Sequence, residues 1–501
     1  MAGVIFIQDF AHEYFGTMYL SAYLKKHGHD CDVIVEYAEK DWVKAVEDFK
    51  PDILAFSVLS GSYKWAVEKA RFLKERLHKP VVFGGVHVFL NPAKSMEEPC
   101  IDAVCTGEGE VCFNELWNSI DKGEMDTSLP GFWFRLADGT IKKNPGAKLV
   151  DDLDTLPFPD RGIYWKYAKI KERPTVPLLG SRGCPYTCSY CFIPAAKKIF
   201  EGLGKFICER RPAIILAELQ LCVKEAPNKE MAHFVDDHFG NNRALYLDVL
   251  RGVSQLKNGK MKWCGAIRIE RFNKEEYVIE LAKNNLGLLG IAVECGDEKY
   301  RKEVLKRDVK NDEIIDAAAL ATKYGIKFTT LNMVGLPGET FEQVLETIDL
   351  NILIKPVYAA SVVYQPYPGT VLHEYAVDHH LLDANVSDSL GISYFDRYLK
   401  NDLEFNRIVN LQRVFGTIVT FPSLKKPLVY LARNNWRVIC DLIFSVYYMW
   451  FLLRFYKVNL WQVFNFISVW FRSKFAAESQ PAMESIREGE GQLYPNIPKV
   501  A

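Results

Sequence analysis

What the 501-residue chain lacks narrows it first. It contains no single clean run of about 20 apolar residues, the length a membrane-crossing helix needs. Its opening, MAGVIFIQDF, has no basic stretch ahead of the apolar one and reads as a strand rather than a targeting peptide. Net charge is almost absent: 62 Lys and Arg stand against 63 Asp and Glu, which removes any general electrostatic case for a nucleic-acid partner. No internal repeat or low-complexity tract stands out, and the paired C-x2-C knuckles of structural zinc sites are missing. What remains is a globular composition, 49% hydrophobic and 25% charged, long enough for two or three domains. Twelve cysteines without a secretory signal fit a reducing compartment, so a cytoplasmic location is expected.

Three of those cysteines, Cys184, Cys188 and Cys191, share one short stretch, SRGCPYTCSYCFIP. The spacing is C-x3-C-x2-C, with Tyr190 directly before the last thiol. Three thiolates from one loop can hold three irons of a 4Fe-4S cluster and leave the fourth iron open to a substrate, which four-cysteine ferredoxin clusters do not. A zinc site or unrelated free thiols is the alternative. The strand-like lead-in VPLLGSRG and the Gly183-Cys184-Pro185 turn favour the cluster. The run resembles the signature of the radical S-adenosylmethionine (SAM) enzymes. That resemblance implies that the open iron chelates the amino and carboxylate groups of SAM. It also implies that an electron from the cluster splits SAM into methionine and a 5'-deoxyadenosyl radical.

Residues 1 to about 145 are expected to form a first domain. Short apolar runs, VIFIQ (4–8), DVIV (32–35), ILAFSV (53–58), PVVFGG (80–85) and AVCTG (103–107), alternate with helical stretches. That rhythm predicts a doubly wound, Rossmann-like parallel sheet covered on both faces, with ligands bound beyond the carboxyl ends of its strands. Ser57, Ser60 and Gly61 follow the third run, Gly84, Gly85 and His87 the fourth, and Gly107, Glu108, Gly109 and Glu110 the fifth. Paired glycines let backbone approach a large flat ligand. The S-x-L of Ser57-Val58-Leu59, the glycine pair and GEGE together resemble the cobalamin-binding domain that precedes many radical SAM barrels. Members that ligate cobalt through histidine carry D-x-H-x-x-G after the first strand; here Asp9 to Gly16 has the wrong spacing. The resemblance therefore implies cobalt without a histidine lower ligand, with His12 as a distorted ligand the alternative. A cofactor-free flavodoxin-like fold is the bland reading of the whole domain. Cys31, Cys100, Cys105 and Cys112 are expected to pack in this sheet rather than hold a second cluster as in methylthiotransferases.

A hairpin is predicted in GFWFRLADGTIKKN around Asp138-Gly139, and 151–160 reads as a linker. From 176, six apolar runs (VPLLG, AHFVDD, KWCGAIR, LLGIAVE, KFTTLNMVG, YAASVVYQP) alternate with helices, which suits a partial TIM barrel over 151–385 with chemistry at its C-terminal strand ends. The resemblance to radical SAM enzymes then implies roles for residues at those ends. Asp236 and Asp237 stand where family members meet the SAM amino group, and Arg268 ends the third strand. Glu294 matches the position that contacts the ribose, with Cys295 replacing a serine. Gly335, Gly338 and Glu339 in GLPGET lie near the adenosine and methionine ends, and QPYPGT is another recurrent element. Phe192 matches a residue whose backbone meets adenine. Each has an ordinary alternative: a helix cap for either aspartate, an ion pair for Glu294, a turn for GLPGET. The resemblance covers roughly residues 1–375.

The remaining stretch, 386–501, reads as an aromatic-rich helical region. The segment 436–453 is apolar but interrupted by Arg437 and Asp441, 458–471 follows in the same style, and Lys and Arg surround both. Helices lying at a membrane surface, a helical cap on the barrel and true insertion are the three readings. Cys208, Cys222, Cys264 and Cys440 are expected to be buried small apolar groups.

Together the parts resemble cobalamin-dependent radical SAM enzymes, which use a 4Fe-4S cluster, SAM and cobalamin. The implied activity is methylation of an unactivated carbon of an apolar small molecule, with electrons from a donor such as ferredoxin or flavodoxin. A radical oxidoreductase or cyclase, like the anaerobic magnesium-protoporphyrin monomethyl ester cyclase, is the alternative. A non-catalytic cobalamin-binding sensor is the alternative of another class. Contact with the inner face of a membrane would come through the tail, and no general base is assigned.

Overall fold

The computed structural model describes residues 3–272, 274–382, 390 and 403–456. Seven strands form the first sheet: β1 (Gly3–Gln8), β2 (Asp30–Val35), β3 (Ile53–Ser57), β4 (Val81–Gly84), β5 (Ala103–Cys105), β6 (Phe132–Arg135) and β7 (Ile141–Lys143). Their order is β2-β1-β3-β4-β5-β6-β7; the first five are parallel and the last two add as the expected antiparallel hairpin. Every residue of β1 is buried, as a central strand covered on both faces requires. The strand order reverses between β1 and β3, and the crevice at that reversal is where doubly wound sheets bind ligands. Cys31, Cys100, Cys105 and Cys112 are all buried, so they pack as read.

The second sheet has the small antiparallel pair β9 (Ser181–Arg182) and β10 (Cys208–Glu209) inserted after its first strand. Its strands are β8 (Thr175–Leu178), β11 (Met231–Phe234), β12 (Lys262–Ile267), β13 (Leu286–Glu294), β14 (Phe328–Val334) and β15 (Tyr358–Val363). All are parallel and lie in chain order, the six-unit arrangement expected of an open barrel. Alternation sets their faces. On β13, Leu289, Ile291 and Val293 are fully buried, in one cluster with Val278 and Leu281 of the preceding helix. Glu294 takes the other face. The stretch 151–160 is less loose than a linker: Leu153 and Leu156 are buried, and Asp160 accepts from Ser21 Oγ and Lys25 Nζ, both at 2.7 Å. One apolar cluster runs from Val4, Phe6 and Val82 into Val176, Phe234 and Leu289, joining the two sheets.

The described part of the tail packs onto the barrel. Helix Leu403–Thr420 is buried on nearly every side, and Gln412 Nε2 donates to the Ser361 carbonyl of β15 at 2.8 Å. Asp441, an interruption in the apolar segment, is buried 3.1 Å from Arg413 Nε. The charge therefore faces inward and the apolar residues Val438, Leu442 and Val446 face outward, at 82%, 57% and 52% exposure. No helix among the described residues is long and apolar enough to cross a membrane. Segment 458–471 lies outside the described residues.

Candidate functional site

The cysteine loop leaves β9 at Gly183, which sits at φ +82°, and a Cβ there would lie 2.2 Å from the Phe206 carbonyl oxygen. Only glycine fits. From there the loop is fastened by several surrounding segments of the barrel. Asp237, after β11, accepts from Gly183 N at 2.9 Å. Ser189 N and Oγ donate to the Leu305 and Val304 carbonyls at 3.1 and 2.6 Å, and its carbonyl accepts from Leu372 N at 2.8 Å. Leu372 lies in the helix that follows the QPYPGT element, so the start of that helix anchors the loop.

Cys184 and Cys188 are buried and Cys191 is partly so; burial pushes the Cys191 thiol up to about 12 and that of Cys184 in the same direction. Burial disfavours the uncompensated thiolates, and a bound metal would supply the compensating positive charge. Among the described residues no group of three His, Cys, Asp or Glu side chains is arranged to hold a single metal ion. A cubane makes a different demand, since each thiolate meets its own iron. Arg268 Nη1 lies 3.2 Å from Cys188 Sγ, and a cation facing sulfur suits an anionic cluster. The donor set therefore fits a three-cysteine 4Fe-4S cluster.

The aromatic residues between the cysteines are tied down too. The Arg268 guanidinium lies 3.6 Å over the Tyr186 ring, and Tyr190 donates to Glu294 Oε1 at 3.0 Å. Glu294 is buried, and that burial raises its carboxyl despite Arg307 Nη1 at 3.5 Å. Its backbone is left-handed, φ +68°, at a register shift between β13 and β14. A non-glycine residue held there on a bulge is re-aimed at a cost, a feature that clusters at functional sites. Arg307, buried in the loop after helix Glu298–Glu303, and Glu270, whose Oε2 is 3.8 Å from Arg307 Nη2, belong to this site and carry no motif. The R-x-E of Arg268 and Glu270 was the one signal that could have pointed to the second.

Other expected residues have local partners. Asp236 Oδ1 accepts from Gly180 N, Ser181 Oγ and Tyr246 OH at 3.0, 2.7 and 2.5 Å, and desolvation lifts its carboxyl to about 6. Both aspartates thus position the approach to the cluster loop. Thr340 caps helix Phe341–Ile354, and Gly335 and Gly338 take positive φ in the turn before it. Glu339 is buried behind that turn, accepting from Leu336 N at 3.1 Å beside Cys295, and burial raises it to about 8. The sign follows: the folded apo chain prefers the neutral acid, so stability falls as pH rises from about 4.5 through 8, by on the order of a few kcal/mol. Glu339→Gln is expected to raise the melting temperature of the apo protein at pH 8.5 and to change it little below pH 4.5. Equal shifts at both pH values would contradict this.

The first sheet brings its loops to the same place. Gly85 has φ +96°, and a Cβ would lie 2.7 Å from the backbone of Val58, so its smallness serves the β3–β4 loop packing first. Gly109 is small because Leu20 sits 2.9 Å from where its Cβ would be, while at Gly107 the nearest atom is Phe200, 3.5 Å away. Gly84 would meet only the side chain of Cys105, at 3.6 Å. His87 is buried, its Nδ1 3.0 Å from Ser60 Oγ and its ring on Tyr63. Gly61 lies in the turn Ser60–Ser62, and Ser57 is the half-buried end of β3. Glu108 and Glu110 form ion pairs with Arg182, the residue before Gly183. Phe89, in the helix after the glycine pair, meets Phe192 and Phe200 with ring centroids at 6.3 and 5.3 Å. The segment after β4 and the segment after the cluster cysteines therefore meet in an aromatic contact.

A mostly parallel sheet with glycine-rich strand ends, packed beside an open parallel barrel that carries a three-cysteine loop, is the architecture of a radical SAM enzyme with a cobalamin domain. The chain matches the radical SAM superfamily over residues 178–350 and the B12 binding domain over residues 9–116. It belongs to the B12-binding radical SAM enzymes, whose cofactors are a 4Fe-4S cluster, SAM and cobalamin. It is 28% identical over 375 residues to an uncharacterised methyltransferase of Pyrococcus horikoshii, covering 73% of this chain and 79% of that one. It is 26% identical over 401 residues to the anaerobic magnesium-protoporphyrin IX monomethyl ester cyclase of Rubrivivax gelatinosus, covering 76% and 67%. The fold is shared with the radical SAM methyltransferase TsrM from Kitasatospora setae, at TM-score 0.62, 16% identity and coverage of 77% and 78%.

Proposed function

We propose that this enzyme transfers a methyl group from SAM to an unactivated carbon of an apolar small molecule. The observation that carries the reading is the convergence of the first sheet's glycine loops and the cluster loop on Phe89, Phe192 and Phe200. When bound, the cluster and SAM supply a radical able to take hydrogen from carbon, and cobalamin supplies a methyl carrier. The chain's own part is to orient and enclose. Cys184, Cys188 and Cys191 would hold the cluster, with Glu294, Arg268 and the Phe192 backbone around the SAM site. The loops at Ser57–Gly61, Gly84–His87 and Gly107–Gly109 would hold cobalamin. No side chain is needed as a base for hydrogen abstraction.

The apolar substrate is supported by the outward row Val438, Leu442 and Val446, which also favours contact with a lipid surface. A ferredoxin- or flavodoxin-like protein would deliver the electron. The relative that is a cyclase supports the second reading, radical oxidation or ring closure without net methylation. Anaerobic turnover of an apolar extract with methyl-labelled SAM separates the two. A product carrying the label is expected; a product whose mass owes nothing to that methyl overturns methyl transfer and leaves the cyclase reading.

A further inference from the structure

The ion pairs beside the cluster loop are not a random surface set. Arg268 points Nη1 at Cys188 Sγ, at 3.2 Å, while its guanidinium rests on the ring of Tyr186 at 3.6 Å. Glu270 accepts from its Nε at 3.1 Å and from Nη2. Beyond Glu270 stands Arg307, 2% exposed, which reaches both Glu270 and Glu294. One cation is thus aimed at a ligating sulfur, and one carboxylate is aimed at that cation from behind.

We propose that Arg268 is a positioning residue that sets the reduction potential of the cluster through the sulfur of Cys188, and that Glu270 attenuates it. This rests on the reading of Cys184, Cys188 and Cys191 as cluster ligands. Reduction adds one electron to the cluster and makes it more negative. A cationic N–H donor on a ligating sulfur favours that form and raises the potential, because hydrogen bonds to sulfur and net charge are the protein's main levers on it. A carboxylate behind the donor opposes the effect. The site is only partly exposed, so neither charge is fully screened.

The test is an EPR-monitored titration of the reconstituted full chain with dithionite as electron source and without SAM. Leaving SAM out removes any contribution Arg268 makes by touching SAM itself. Arg268→Met is expected to make cluster reduction harder by about tenfold, which is 59 mV for a one-electron couple. Arg268→Lys, which keeps the charge but loses the fork, is expected to fall between. Glu270→Gln is expected to shift the potential the other way. Opposite signs are the signature, since a residue that merely supports the fold has no reason to produce them. Unchanged potentials, or shifts of one sign in both variants, overturn the proposal. Should Arg268→Met fail to hold a cluster, Glu270→Gln decides alone, and a potential at or below that of the wild type overturns it. A wild-type chain that assembles no 4Fe-4S cluster defeats the underlying reading instead.

Discussion

Alanine at any one of Cys184, Cys188 or Cys191 is expected to abolish 5'-deoxyadenosine formation and to strip the chain of its cluster. The loss should exceed the roughly hundredfold that follows when only a supporting group of a metal site is removed, because here a ligand itself goes. The structure gives the reason that no neighbour can substitute. Among the described residues no other cysteine lies on this loop, and the nearby carboxylates are engaged: Asp237 holds Gly183 N, and Glu294 holds Tyr190. The fold should survive, since the loop hangs from Ser189 and Gly183 rather than from its thiols. Iron analysis beside a circular dichroism spectrum checks this. A single-alanine variant that still cleaves SAM at about a tenth of the wild-type rate would sink the assignment.

Gly183→Ala is expected to do nearly as much harm without touching a ligand. Left-handed backbone costs an L-residue about 1–2 kcal/mol. Steric overlap adds more, because a Cβ 2.2 Å from the Phe206 carbonyl oxygen has backbone, not a yielding side chain, in its way. The loop must move, and with it the Asp237 bond beside Cys184. Cluster content should fall at least about tenfold, the equivalent of some 1.4 kcal/mol at the site. Gly202→Ala supplies the control. It has φ +78° in the turn beyond helix Ile193–Ile199, with no atom within 4 Å of the added carbon, so it bears the backbone cost alone and should keep its iron. Equal iron content in the two variants would show that the close approach to Phe206 is unimportant.

Strand identity was the easiest thing to read from the sequence. Runs such as VIFIQ and LLGIAVE are apolar because both faces of a parallel sheet are covered, and they became β1 and β13. The cysteine loop was equally plain, since its spacing is local. Long-range pairing was not. Arg307 lies 13 residues from Glu294 and meets it where a register shift leaves Glu294 in left-handed backbone. Gly85 and Glu108 stood out as ligand contacts in the sequence, yet Gly85 answers first to Val58 and Glu108 to Arg182. Asp441 looked like a break in an apolar segment and is a buried partner of Arg413 on another helix. In each case the residue type was legible and its partner was not.

The most direct test is anaerobic reconstitution of the full chain with iron, sulfide and cobalamin, followed by metal analysis and assay of 5'-deoxyadenosine after reduction with SAM present. One 4Fe-4S cluster and one cobalamin per chain, with 5'-deoxyadenosine released, is the predicted result. Cobalamin bound without SAM cleavage would make the chain a sensor, and cleavage without cobalt would leave the first sheet with no cofactor; either contradicts a two-cofactor enzyme.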